Sequence, residues 1–283
     1  MKMLVGEEGA PYLIVGTAVL LILLLVYLRN RLNKWQPELP AVRIGNGQTI
    51  GARSEQDDYF ASATTSVGTL AVLADGISGL ANGRMCSTMA VSMFVKEYLN
   101  VGHVRHIPNF LTETARKANS EMLRQLKGSP GGTTLVAGII DGDNLHWGAV
   151  GDSVILVFRN GEFLSVNPKH TYETVLEQRY LAGEISKEDV IVNPQRRQLI
   201  NYLGYEQFQK MEIGDEPFAL KPGDKVILCS DGVYNALTEV EMEKILRSST
   251  SPEDSAQGMI DAIEVKNLGY QDNATVIILE KSG

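Results

Sequence analysis

The chain has 283 residues, 44 % of them apolar, with 34 acidic against 26 basic side chains and a net charge of −8. This is ordinary globular composition for one or two domains, and without a surplus of Lys and Arg to displace counterions from phosphates it argues against a nucleic-acid partner. Two cysteines, Cys86 and Cys229, stand far apart and outside any CxxC or Cys/His spacing, which sets aside a disulfide framework or structural zinc and points to a reducing compartment.

From Gly9 to Leu28 no residue is charged, and Leu13 to Val26 is almost wholly aliphatic. About twenty residues at 1.5 Å each span roughly 30 Å, the thickness of a bilayer's hydrocarbon. Tyr12 and Tyr27 stand near the two ends, where amphipathic rings favour the interface. A buried core helix would show a polar stripe, and none is present. A cleaved signal peptide is the competing reading. Against it, Lys2, Glu7 and Glu8 precede the stretch, Arg29, Arg31 and Lys34 follow it, and no small-x-small cleavage site comes after. The expectation is a membrane anchor over residues 1–34, with its N-terminus outside and the rest of the chain cytoplasmic. A juxtamembrane linker over 35–47 and one domain over 48–283 complete it. Residues 41–283 carry the acidity, with a net charge of −9.

Short apolar or alternating runs bounded by turn residues predict strands at Gly68–Ala74, Thr133–Ile140, Leu145–Val150, Val154–Phe158, Glu162–Val166, Lys225–Cys229 and Thr275–Leu279. Asp141-Gly142-Asp143-Asn144 and Asn160-Gly161 fall between such runs and predict tight hairpins. Apolar residues three and four apart predict helices at Arg84–Leu99, Pro108–Leu126, Tyr172–Leu181, Glu239–Arg247 and Pro252–Val265. Strands in hairpins and helices in pairs make an α+β layered domain, not a βαβ repeat. Between the strand-rich regions, the polar segment Lys169–Leu203 reads either as a solvated excursion or as a flap over a site.

Five places set an aspartate at the end of an apolar run, beside a glycine or an amide: Gln56-Asp57-Asp58, Ala74-Asp75-Gly76, Gly151-Asp152-Ser153, Ser230-Asp231-Gly232 and Asp272-Asn273. Singly each reads as a turn, and Asp141-Gly142 is such a turn. Together, carboxylates at strand ends can converge on one edge of a sheet. An oxygen-only set without His or Cys suits Mg²⁺ or Mn²⁺ rather than zinc or copper, and a metal pair held there activates water.

In order along the chain, Arg53-Ser54-Glu55-Gln56-Asp57-Asp58, Ala74-Asp75-Gly76-Ile77-Ser78-Gly79, Gly132-Thr133-Thr134, Gly148-Ala149-Val150-Gly151-Asp152-Ser153, Cys229-Ser230-Asp231-Gly232 and Asp272-Asn273-Ala274-Thr275-Val276 resemble the motifs of the metal-dependent type 2C serine/threonine protein phosphatases, over about Gln48–Glu280. The resemblance implies a central antiparallel β-sandwich flanked by helices on both sides, with two Mn²⁺ or Mg²⁺ ions at one end and a third, weaker ion nearby. By the same resemblance, Asp75 bridges the two metals and the Gly76 carbonyl is a further ligand. Asp231 and Asp272 are terminal ligands of one metal, and Asp57 or Asp58 serves the second, directly or through water. Asp152 shares the third metal with Asp231. Arg53 resembles the phosphate-binding arginine, a role that suits a planar, permanently charged fork. The implied reaction is attack by a metal-bridged hydroxide on phosphoserine or phosphothreonine, without a covalent intermediate. Phosphorylated proteins are the implied substrates, with a serine/threonine kinase as the opposing partner.

Three departures from the family pattern stand out. Ile77 occupies a place where some members carry histidine, and it cannot act as a general acid. Val154 replaces a frequent arginine, and Lys169-His170-Thr171 stands where an Asp-His-Ser type of sequence is common. Glu173–Leu203 is similar to the flap that bacterial members hold beside the site, which favours the flap reading and a role in substrate choice. His170 is left outside the catalytic set, and Cys229 reads as a packing residue. The rival function is a catalytically silent phosphoprotein-binding module of the same fold, supported in the sequence only by Ser78 and Val154.

Overall fold

The computed structural model describes the backbone of residues 10–33, 42–77 and 79–281, with side chains over 15–28, 42–77 and 79–281. It divides into two compact units, residues 1–40 and 41–283. In the first, helix α1 spans Ala10–Asn33 and exposes its aliphatic side chains from Val19 to Leu28. Among the described residues no helix is long and apolar enough to cross a membrane. The expected span is therefore not reproduced: Gly9 lies outside the described residues, and the side chains described, 15–28, cover about 21 Å at 1.5 Å per residue against the roughly 30 Å required.

The second unit begins with strands β1 (Val42–Thr49), β2 (Tyr59–Thr65) and β3 (Gly68–Ala74). Helices α2 (Gly83–Tyr98) and α3 (Ile107–Leu126) follow, and then β4 (Leu135–Asp141), β5 (Asn144–Val150), β6 (Val154–Arg159) and β7 (Glu162–Ser165). Helices α4 (Tyr172–Leu181) and α5 (Lys187–Val192) lie within the polar segment. The chain ends with β8 (Glu212–Ile213), β9 (Phe218–Ala219), β10 (Lys225–Cys229), α6 (Asp231–Tyr234), α7 (Glu239–Ser248), α8 (Pro252–Lys266) and β11 (Ala274–Lys281).

All the strand pairings are antiparallel. One sheet has the order β1-β11-β10-β6-β7, and the other β2-β3-β4-β5-β8 with β9 also on β5. The central strands read as continuous apolar runs because both their faces are covered. In β10, Val226 and Leu228 enter the core between the sheets, while Ile227 and Cys229 enter the core under α7 and α8. In β3, Ala71 and Leu73 face the inter-sheet core, and Leu70, Val72 and Ala74 face α2 and α3. The α+β sandwich with helices on both sides is therefore what the pattern of burial requires.

The predicted hairpins form. Asn160 and Gly161 both have positive φ, 53° and 92°, with Arg159 paired to Glu162 across the turn, as a two-residue turn matched to strand twist demands. Four strands were not expected: β1, β2 and the two-residue β8 and β9. Strand β1 claims residues 42–47, which the sequence reading gave to the linker, and residues 35–41 of that linker lie outside the described residues. Its sequence, Val-Arg-Ile-Gly-Asn-Gly-Gln-Thr, has weak strand propensity, but α8 crosses it closely. A Cβ on Gly45 would stand 2.1 Å from the Pro252 carbonyl carbon, and one on Gly47 would stand 2.7 Å from Ile260 Cγ1. The glycines admit the helix, and pairing with β11 over eight residues holds the strand. Strand β2, rich in Ala, Ser and Thr, is fixed by β3 and packs its small side chains toward α2.

Candidate active site

Several strands end or begin on one edge of the sandwich, and the motifs sit there: Asp75, Asp152 and Asp231 come after β3, β5 and β10, whereas Asp57-Asp58 and Asp272 come before β2 and β11. Asp75 follows β3. Its backbone N–H donates to Thr134 Oγ1 (3.1 Å) and its carbonyl accepts from the Thr134 N–H (2.8 Å) and from Thr133 Oγ1 (2.8 Å). Thr134 Oγ1 lies 2.7 Å from Ser153 Oγ, which joins the Asp75 loop to the Gly151-Asp152-Ser153 turn. The expected strand at Thr133 starts only at Leu135 because Thr133 and Thr134 are spent on this junction. Gly76 donates to the Asp57 carbonyl (3.2 Å), and a Cβ there would meet Gly83 C at 2.6 Å and Asp57 O at 2.7 Å, so only glycine lets the start of α2 approach. Asn273 secures the 50–57 loop: its Oδ1 accepts from the Asp57 N–H (2.8 Å) and its Nδ2 donates to the carbonyls of Ile50 and Glu55, both 2.9 Å.

Asp75, Asp152, Asp231 and Asp272 line one cavity of about 370 Å³, together with Thr134, Ile77, Leu80 and the flap residues Arg197, Gln198, Leu199 and Tyr202. Asp58 is buried behind them. Ser230 Oγ donates to its Oδ2 (2.8 Å) and itself accepts from the Thr275 N–H (3.0 Å), whereas Oδ1 is buried without a hydrogen-bond partner. Asp57 points elsewhere, toward the start of α2, with Glu55, Asp272 and Arg53 as its charged neighbours. Arg53 reaches the rim from outside, its guanidinium 2.6 Å from Asp272 Oδ2. The structure thus brings together Asp58, Asp75, Asp152, Asp231 and Asp272, sets Arg53 at the edge of that group, and leaves Asp57 and the Gly76 backbone beside it.

Electrostatically the cluster is strained. Burial, then Asp58, Asp231, Asp152 and Asp272, hold the Asp75 carboxyl well above its ordinary range. Burial pushes Asp58 up to about 6, and burial with Asp152 and Asp272 pushes Asp231 up to about 7. Asp152 is raised by burial, against the opposing charge of Lys169, and Asp57 by burial and Glu55. Like charges in a desolvated cleft hold protons that they would surrender to a divalent cation. Among the described residues no three His, Cys, Asp or Glu side chains are closed into a ready-made cage. The donor set still fits a hard cation: it is oxygen-only, it converges on one cavity, and it includes an orphaned buried oxygen at Asp58.

Sequence reasoning missed several supporting residues. Ser230 and Thr134 lay inside the quoted motifs, and for Ser230 the hydroxyl beside Asp231 was the available signal. Lys169 was marked only as a departure from the family pattern and Tyr234 carried no linear signal, yet the Lys169 ammonium sits 3.5 Å from the centre of the Tyr234 ring. The Tyr234 hydroxyl donates to the Asp152 carbonyl (3.1 Å). His170 is a structural pin. Its Nδ1 accepts from the Gly151 N–H (3.2 Å) and lies 3.2 Å from Asn201 Nδ2, which leaves Nε2 to donate to Glu212 Oε2 (3.1 Å). Cys229 is fully buried with its thiol pushed up to about 12 by burial, so it packs and does not attack. Val154 lies in the apolar core under α7 and α8, away from the cavity, and Ser78 is outside the described residues. The polar segment turns back on the site through bridges Thr171–Leu199 and Thr133–Leu203, and four of its residues line the cavity.

A family model described as protein phosphatase 2C matches residues 47–264. The serine/threonine phosphatase stp of Listeria innocua is 30 % identical over 222 residues, covering 75 % of this chain and 84 % of that protein. Among solved structures, the Streptococcus agalactiae serine/threonine phosphatase superposes with a TM-score of 0.75 at 25 % identity, covering 85 % of this chain and 100 % of that one. The catalytic domain of the serine/threonine protein phosphatase PstP, solved with two manganese ions, shares the fold with a TM-score of 0.67 at 22 % identity, over 86 % of this chain and 99 % of that one.

Proposed function

The chain belongs to the protein phosphatase 2C family and is a protein serine/threonine phosphatase, and from that premise we propose how its own residues divide the work on phosphoserine and phosphothreonine proteins. The observation that carries the reading is the convergence of Asp75, Asp152, Asp231 and Asp272 on one cavity. Asp75, Asp231, Asp272 and the Gly76 carbonyl would hold a Mn²⁺ or Mg²⁺ pair, with Asp58 behind it and Asp152 at its side. Bound there, such ions activate water for direct displacement at phosphorus and neutralise charge on the phosphoryl oxygens. Arg53 offers a planar fork to the phosphate, and its present partner Asp272 keeps it at the rim. Between Asp57 and Asp58, the buried, orphaned oxygen favours Asp58 as the nearer support. Ile77 lines the cavity and cannot give a proton, so the leaving alkoxide takes its proton from water or from a group other than Ile77. Leu199 and Tyr202 of the flap shape the substrate's seat, and the opposing enzyme is a serine/threonine kinase.

The test is phosphate release from a phosphothreonine peptide by the purified full chain in Mn²⁺, Mg²⁺ or EDTA. Activity is expected only with a divalent cation and is expected to vanish in D231N; turnover that survives EDTA or the substitution would overturn the reading.

Cation binding is also expected to be visible in stability, with a definite pH dependence. Carboxyls raised to about 6 at Asp58 and about 7 at Asp231 favour the cation-free fold below their unfolded values near 4, and this contribution is lost as pH rises through 6 and 7. A cation that accepts the ionised cluster cancels the loss. The rise in Tm on adding Mg²⁺ should therefore be larger at pH 7.5 than at pH 5.5 by scanning fluorimetry, and an equal or reversed difference would contradict it.

The cell membrane is the proposed location, with the catalytic unit on the cytoplasmic side. The uncharged stretch Gly9–Leu28 and the exposed aliphatic side chains of α1 support it, as does the basic flank at Arg29, Arg31 and Lys34. The full chain should sediment with membranes and require detergent for release; recovery in the soluble fraction would refute anchoring without touching the enzymology.

A further inference from the structure

We infer that Lys169 is a built-in counter-cation for Asp152 and Asp231, one that excludes a further divalent ion from between them. The inference rests on the reading of the carboxylate cavity as a cation site. Beside that cavity lies a second one of about 270 Å³, and the two share Asp152, Asp231 and Arg197. Lys169 lines the second cavity with both carboxylates and, more weakly coupled to it, Glu173. Its backbone is fixed next to the Asp152 turn: the His170 N–H donates to the Gly151 carbonyl (2.8 Å), and Thr174 Oγ1 donates to the Lys169 carbonyl (2.8 Å).

The side chain is fixed as well. The ammonium sits 3.5 Å from the centre of the Tyr234 ring, a half-desolvated seat in which a cation–π contact is strong, and the Tyr234 hydroxyl is tied back to the Asp152 carbonyl. Among the described residues Lys169 closes no direct ion pair. Its charge is therefore not committed to one carboxylate and acts on both across the cavity. Of the other two basic residues in this cavity, Arg197 is an exposed residue of the flap and Arg196 donates to the Ile191 carbonyl (3.0 Å). A divalent ion placed between Asp152 and Asp231 would meet a held ammonium, and in a partly desolvated cleft that repulsion is little screened. The divalent pair is then confined to the site of Asp75, Asp231, Asp272 and the Gly76 carbonyl, and a further ion between Asp152 and Asp231 is excluded. Lys169 is a positioning residue that acts through the two aspartates.

The decisive measurement is the Mn²⁺-binding isotherm of the purified full chain, by equilibrium dialysis with metal analysis. K169Q is expected to gain an additional, weaker Mn²⁺ site that is absent from wild type and from K169R, and D152N in the K169Q background should remove it. K169M, which keeps an apolar stem over the Tyr234 ring, should show the same gain and replaces K169Q if that variant does not fold. Identical isotherms for wild type and the folded charge-removing variant would overturn the role of Lys169 while leaving the cation site in place. Absence of Mn²⁺ binding by every folded protein would overturn both. A purely structural role for the side chain would not move the number of bound ions.

Discussion

Asp75→Asn is expected to lower phosphatase turnover on the order of 10³-fold, beyond the roughly 10–100-fold that loss of an outer-shell partner costs, while raising the melting temperature of the cation-free protein. The two effects have opposite signs for one reason. Asp75 stands among Asp58, Asp231, Asp152 and Asp272, and burial together with their charges holds its carboxyl well above the usual range. An asparagine removes a charge that costs the empty fold stability, and with it the oxygen best placed to share a cation. Its backbone contacts with Thr133 and Thr134 do not involve the side chain, so the loop is retained. Turnover on a phosphopeptide and scanning fluorimetry with EDTA or Mn²⁺ check both halves. Loss of activity with a lower cation-free Tm would mean that Asp75 holds the loop together and is not a strained ligand.

The largest expected loss of stability lies at the other end of β6. Arg159→Ala should cost about 3–5 kcal/mol, the usual consequence of leaving a buried charge unpaired. The Arg159 guanidinium holds both Asp224 oxygens (Nε to Oδ1 2.9 Å, Nη2 to Oδ2 2.6 Å) and donates to the Ala219 carbonyl (2.8 Å). Asp224 is 3 % exposed in its side chain against 17 % for Arg159. Burial alone would raise the Asp224 carboxyl, but Arg159 and the Lys221 N–H outweigh burial and hold it below its usual value. The pair thus locks the 219–224 turn that launches β10, the strand that delivers Asp231. Urea denaturation should also find the R159A/D224L double variant less damaged than R159A, because the stranded charge is gone; a double loss equal to or larger than the single one would show that packing, not the unpaired charge, sets the cost.

Much of this molecule is legible in one dimension, for identifiable reasons. Strands β3 and β10 were placed to the residue, and β11 within two residues at either end, because a strand covered on both faces leaves an unbroken apolar run. The Asn160-Gly161 turn was legible because left-handed φ at two successive residues nearly requires that pair. The candidate ligands were legible because each aspartate stands within two residues of a strand end, Asp75, Asp152 and Asp231 after β3, β5 and β10 and Asp57, Asp58 and Asp272 before β2 and β11, so position along the chain is also position at the edge of a sheet. Strands β1 and β2 were not, since Gly45, Gly47 and the small residues of β2 answer to α8 and α2, elements distant in sequence.

Residue type and periodicity, which are local, set the chemistry available to this protein: an oxygen-only set of carboxylates at the ends of apolar runs and an α+β layered domain. The sandwich and the phosphate-binding role of Arg53 were implied by the resemblance to the type 2C phosphatases. Only the tertiary structure decided which carboxylates meet. It turned Asp58 inward with one oxygen orphaned and Asp57 toward α2, tied Arg53 to Asp272, and set Lys169 on the ring of Tyr234. Each of these is a contact between residues 65 or more positions apart or a choice between adjacent side chains, and both depend on packing that no local pattern encodes.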